Sequence, residues 1–318
     1  MANTTRWPKS ANEWTADDLR AYNISVSSVP AYEFFSCPPP PNSSLDKLVD
    51  PAILTSPCPG PYPNCNTNPD LPHHVEQYLG YLSLATRTTP LDPNRESAIV
   101  SFSAKTLKLL GFHGRDRIGE DRERESEQGE GQEMVQKVVT MHYELPFTIC
   151  TTTRVAQTGV CLISMRPTMV LLVLIADPTQ PTAVTESKAN ASSPNAEAHL
   201  IASAIATFES NNAKRSSRGL PAFSSMTVPG IVMHGTCPTF YLVPVTRELS
   251  ESVMCGVWPE NSTETKVVRC ETVAKVRGEG KAGEGGMEDP RYRKLALENF
   301  LAFKELARDH WENLFKGF

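Results

Sequence analysis

The chain has no long hydrophobic run: its longest, Met169–Ala176, is far short of the ~20 apolar residues a membrane-crossing helix needs. The first ten residues, MANTTRWPKS, contain no apolar stretch of the kind that opens a secretory leader. Cysteine is sparse and scattered, at 37, 58, 65, 150, 161, 237, 255 and 270 of 318 residues, so no disulfide framework is expected. These absences predict a reducing intracellular setting, cytoplasmic or nuclear, with no membrane partner. Excess positive charge is missing too. Lys and Arg total 31 against 36 for Asp and Glu, a net charge of −5, so nothing draws the whole chain towards nucleic acid. A nucleic-acid partner would need a local basic patch or a metal; a protein partner is compatible with the charge. Glycine, at 18, is outnumbered by 26 prolines that gather near the start.

What is present supports a core, since 40% of residues are hydrophobic. Thr15 precedes Ala16–Ala21 as a helix cap, with Asp17 and Asp18 placed against the positive end of the helix dipole. From Cys37 to Pro72 the chain is dense in Pro, Asn and Ser and reads as an irregular strap or an arm over another surface. Phe34 and Phe35 favour the arm. Asn94–Gly111 has the apolar spacing of an amphipathic helix, and residues 114–132 read as a charged loop. Strands are expected over Val138–Tyr143 running into Phe147–Thr151, over Gly159–Ser164 and over Met169–Ile175. A return arm at Thr182–Lys188 would follow a turn at Asp177–Pro181. A helix over Ala196–Ser210, strands at Thr227–Met233 and Phe240–Val245, a helix at Thr246–Met254 and a final helix at Arg291–Phe315 complete the pattern. It predicts an α/β fold, a mixed sheet flanked by helices. The organisation read from it is an N-terminal helix and Pro-rich arm (1–81), an α/β core (82–255), a flexible linker (256–290) and a C-terminal helix packed on the core (291–318).

The most informative chemistry is Asp177 followed by Glu186-Ser187-Lys188. Glu186 and Lys188, two apart on one strand, share a face, and a hairpin turning near Pro181 brings Asp177 towards Glu186. Two carboxylates held together suit Mg²⁺, and an adjacent lysine can polarise a phosphate or activate water; together they equip metal-assisted phosphodiester hydrolysis. The plain reading of Glu-x-Lys is a solvated strand face. Other candidates are weaker. His73-His74 and the pair Cys58 and Cys65 lack further ligands for zinc and read as loop residues. Gly280-Lys281-Ala282 lacks the remainder of a phosphate loop. His234 and Cys237 flank Gly235 and read as turn residues, although a nucleophilic pair is conceivable. Lys214, Arg215 and Arg218 form the one compact basic cluster.

Several stretches resemble a family from mushroom-forming fungi: Trp14–Ile24, Gln157-Thr-Gly-Val-Cys-Leu-Ile163, Val170-Leu-Leu-Val173, Glu186-Ser-Lys188, Glu197–Ala206, Thr227–Ile231 and Gly235–Tyr241. The family core resembles the PD-(D/E)xK nuclease-like fold. The resemblance implies a restriction-endonuclease-like core whose metal site draws an acid from the first helix, Asp from the second strand and Glu-x-Lys from the third. Glu96 matches the helix acid, and Glu186 and Lys188 match Glu-x-Lys. Gly159 stands where the family has Asp, and His199 and Ser203 stand where the following helix has Gln and Glu. His199 is a poor magnesium ligand and reads as a polar helix residue. Two registers are possible, and the seven residues from 189 to 195 between Lys188 and Ala196, the short loop expected before the helix, favour the first. In one, Glu186 and Lys188 are the catalytic pair and Asp177 replaces the missing strand acid. In the other, Ala176-Asp177-Pro178 occupies the Glu-x-Lys position and no pair survives. The expected function is accordingly a nuclease-like binding or accessory protein with a degenerate site, or an active Mg²⁺-dependent hydrolase using Glu96, Asp177, Glu186 and Lys188.

Overall fold

The structure, a computed structural model, describes residues 6–35, 45–59, 71–86, 94–117, 134–178, 194–259, 264–272 and 286–315. The chain begins with a short 3-10 turn (Ala11–Glu13), helix α1 (Ala16–Ala21) and strand β1 (Ile24–Ser28). Three short helices follow, α2 (Ala31–Phe34), α3 (Leu45–Leu48) and α4 (Pro51–Thr55), then two longer ones, α5 (His73–Ala85) and α6 (Arg95–Leu109). Next come strands β2 (Gly114–Arg117), β3 (Met134–Met141), β4 (Glu144–Ile149), β5 (Thr152–Gln157), β6 (Val160–Met165) and β7 (Thr168–Asp177). Helix α7 (Pro194–Ser216), strands β8 (Ser225–His234) and β9 (Cys237–Thr246), helix α8 (Arg247–Cys255), strand β10 (Thr265–Glu271) and helix α9 (Pro290–Phe315) complete it.

The fold is α/β, with a large mixed sheet of eight strands in the order β1-β10-β9-β8-β7-β6-β3-β2. β1 runs parallel to β10 and β7 parallel to β8; the other neighbours are antiparallel. β3, β6 and β7 form a meander interrupted by the separate β4–β5 hairpin, and α7 is the crossover that returns the chain parallel to β7. Because side chains alternate across a strand, Phe240 and Tyr241 mark the two sides. Phe240 packs against Phe300 and Phe303 of α9, while the Tyr241 hydroxyl donates to Glu197 of α7 at 3.2 Å. Gly230 lets α7 lie close to the sheet: a Cβ there would meet Leu200 at 2.9 Å. Farther along α7, buried Asn211 completes the backbone bonding of β7. Its Oδ1 accepts from Val170 N–H and its Nδ2 donates to the Val170 carbonyl, both at 2.9 Å, where β8 does not reach. On the other face Trp311 donates from Nε1 to the Leu171 carbonyl at 2.8 Å.

The expected helices at 16–21, 94–111, 196–210, 246–254 and 291–315 form with modest shifts of their ends. Thr15 and Asp18 make a reciprocal capping box on α1, and Thr246 caps α8. Four expectations are corrected. The continuous strand through 138–151 is two strands, because the chain turns at His142 (φ 51°) and β4 leaves the main sheet to pair with β5. The stretch read as irregular carries α3 and α4, and His73 and His74 open helix α5 rather than forming a loop tip. The stretch 256–290, expected as linker, contains β10, which pairs with both β9 and β1. Phe34 and Phe35 do cover another surface, stacking near Phe303 (6.3 Å) and meeting Phe240 edge-on (5.9 Å). The expected Thr182–Lys188 strand and the Gly280-Lys281-Ala282 motif lie outside the described residues. Among the described residues, no helix is long and apolar enough to cross a membrane.

Candidate functional site

β7 and β8 end side by side, and their last residues, Asp177 and His234, are register partners. Ligands in open α/β sheets gather at such carboxyl ends of parallel strands. Here the two side chains meet each other: His234 Nδ1 lies 3.0 Å from Asp177 Oδ2, and both residues are buried. The Gly235 N–H donates to the Asp177 carbonyl at 2.9 Å, and Gly235 (φ 59°) starts the tight turn into β9. Residues before α9 close over this turn. The Met287 N–H donates to Thr236 Oγ1 at 3.0 Å, and Thr236 Oγ1 donates to Glu288 Oε2 at 3.1 Å. Asp177 is therefore built into the sheet end by His234 and the turn. His234 Nε2 is buried without a hydrogen-bond partner among the described residues.

The remaining candidates fall at different places. Glu96 is exposed in the first turn of α6. Glu186 and Lys188 lie outside the described residues. Gly159 sits between α6 and β7: a Cβ at this position would lie 3.1 Å from Val100 Cγ2, 3.2 Å from the Leu174 carbonyl oxygen and 3.4 Å from the Ala176 nitrogen. These neighbours fill the space that a side chain at this position would need. Among the described residues, no group of three His, Cys, Asp or Glu side chains is arranged to hold a metal ion.

His199 is half-buried; its Nε2 lies 2.9 Å from the Gln157 carbonyl, so it ties α7 to the end of β5, and burial lowers its pKa. Burial pushes the Cys237 thiol up to about 11, which disfavours the reactive thiolate. His74 pairs with Asp50 at 3.1 Å, and Asp50 also caps α4 through the Ala52 N–H. The basic cluster is broken up by the fold: Arg215 is buried, donates to the Pro221 carbonyl at 2.8 Å and stacks 4.1 Å from the centre of the Phe223 ring.

Two polar clusters escaped the sequence. Arg269 of β10 pairs with Glu197 at the start of α7 (2.7 Å) and with Glu271 (3.3 Å), joining elements far apart in the chain. Glu209 of α7 accepts from the Thr148 N–H at 3.0 Å and from Ser250 Oγ at 3.4 Å, and burial pushes its carboxyl up to about 7. Periodicity reads Glu209 as an ordinary polar residue on an amphipathic helix. Only the arrival of β4 and α8 buries it.

Compared with known protein families and with curated proteins, the chain matches no family model and no curated sequence.

Proposed function

We propose that the succession α6-β3-β6-β7-α7-β8 is a restriction-endonuclease-like core that has lost its chemistry, and that the chain works as a non-catalytic binding or accessory protein. One observation carries this reading: β7, the last strand of the meander, ends in Ala176-Asp177 followed by Pro178, and it does so beside the filled space at Gly159. In the register that aligns this strand end with Glu-x-Lys, alanine and proline stand for the catalytic glutamate and lysine, and glycine for the strand aspartate. A carboxylate, an ammonium and a second carboxylate are replaced by groups that offer a metal or a phosphate no side-chain partner. Asp177 is not a spare ligand in this reading, since its carboxylate is committed to buried His234.

The test is hydrolysis of single- and double-stranded DNA and RNA with Mg²⁺ or Mn²⁺, alongside calorimetric titration of each metal. The reading expects no metal-dependent cleavage beyond that of a Glu186→Ala, Lys188→Ala double variant, and the same heats in both proteins. Metal-dependent cleavage that disappears in the double variant overturns it and reinstates hydrolysis through Glu186 and Lys188.

A further inference from the structure

The fold assembles a basic site that no single stretch of the sequence contains. β2 begins at Gly114, opposite Lys137 of β3, whereas β3 runs on to Met141 with no strand on that side among the described residues. The step between the two strands and the end of α6 frame a cavity of about 340 Å³, lined by Lys108, His113, Gly114, Arg115 and residues 136–139. Its volume lies at the lower end for small-molecule sites. In register, Lys137 pairs with Ser164 of β6, and Ser164 with Met169 near the start of β7. Asp177 ends that strand, roughly 26 Å farther on at ~3.3 Å per residue. The cavity is therefore distinct from the sheet end at Asp177.

Three of the lining side chains are basic and accessible. Lys108, His113 and Arg115 are exposed, and none of them makes an ion pair or a side-chain hydrogen bond among the described residues. Among the same residues, no carboxylate lines the cavity. Lys137 also lines it, but its ammonium is already engaged, 4.9 Å from the centre of the Trp311 ring. Lys304 is engaged next to it in the chain's path, donating to the Leu110 carbonyl at 3.0 Å. These two add to the local positive field without being offered to a ligand, in a chain whose net charge is −5. Single surface cations are ordinarily left to water. Here a helix end, the connection after it and an edge strand each contribute one to the same concavity, and no counter-charge accompanies them.

We propose that this cavity binds a diphosphate group, with the Arg115 guanidinium and the Lys108 ammonium donating to its oxygens and His113 completing the set. The planar guanidinium matches adjacent phosphate oxygens, and bonds between ionised partners are the strong ones. A diphosphate brings several negative charges to several cations, whereas a carboxylate or one phosphodiester brings a single charge. A single-stranded nucleic acid suits the cavity less well, because no aromatic side chain lines it to stack a base. The site does not depend on the nuclease-like reading of the core.

The full chain is titrated calorimetrically, without divalent metal, with inorganic pyrophosphate, orthophosphate, ADP and a short single-stranded DNA. Saturable 1:1 binding of pyrophosphate, at least about tenfold tighter than orthophosphate, is expected. Lys108→Gln and Arg115→Gln alter exposed side chains and should each weaken pyrophosphate at least about fivefold. Lys266→Gln, at an exposed lysine of β10 near the opposite edge of the sheet, should leave binding within about twofold of wild type. The Gly114 and Val138 amide resonances should shift on adding pyrophosphate. ADP binding tighter than pyrophosphate identifies a nucleoside-borne diphosphate as the source, weaker binding identifies a free one, and both uphold the site. Absence of saturation, equal affinity for orthophosphate and pyrophosphate, or unchanged binding in Lys108→Gln or Arg115→Gln overturns the proposal. So does an equal loss in Lys266→Gln, or DNA binding tighter than either diphosphate.

Discussion

His234 Nδ1 and Asp177 Oδ2, 3.0 Å apart on adjacent parallel strands, make a buried pair that bolts the end of β7 to the end of β8. Neither side chain is exposed enough to be rehydrated cheaply when its partner is removed.

Replacing either residue removes a buried hydrogen bond between the two strand ends. His234→Leu or Asp177→Leu should each destabilise the fold by about 3–5 kcal/mol. The double substitution should cost less than the sum of the two. Urea unfolding of the three variants checks this, and additive losses would show that the pair is not coupled.

Gly159 leads to a second expectation. With Val100, Leu174 and Ala176 already at contact distance from a hypothetical Cβ, Gly159→Asp should not rebuild a metal site. It should lower stability by about 1–3 kcal/mol through overpacking, with the desolvated carboxylate adding to the loss. Thermal melts with and without Mg²⁺ are the measurement; stabilisation by the metal in the variant alone would contradict the lack of room at Gly159.

Glu209 makes stability depend on pH. Its folded carboxyl titrates at about 7, above the ordinary glutamate value of 4.5. Between those values the folded chain keeps a proton that the unfolded chain has released. Its contribution is therefore fully present at low pH, falls as pH rises from about 4.5 to 7 and is flat above. Glu209→Gln should remove that slope. Unfolding midpoints of both proteins at pH 5, 6, 7 and 8 would show the difference, and parallel profiles would reject it.

The long helices were legible because their apolar spacing and caps act locally: Leu200, Ile201, Ala204, Ile205 and Phe208 form one face of α7 whatever it packs against. The β4–β5 hairpin was not legible. Its turn places Cys150 and Thr151 at φ 48° and 60°, positions where glycine or asparagine usually announces the bend. Helix α5 was hidden because its stability comes from packing, with Tyr78 5.5 Å from Phe102 of α6. β1 and β10 are short polar-flanked strands that become recognisable only as neighbours. At the candidate site, the residue types at 159, 176 and 178 could be read directly, but where β7 ends could not. The partners of Asp177 and Glu209 come from distant elements, so no local pattern specifies them.

The pairing of Ile24 with Thr265 has a consequence for biosynthesis. β1 leaves the ribosome well before β10, the neighbour that satisfies its backbone. Until then this edge must wait unpaired, and β9 must likewise wait for β10. Completion of the sheet is thus a late event, with a large loop to close. A nascent chain stalled ahead of residue 265 would hold the inner strands without their border, a form exposed to association with other chains.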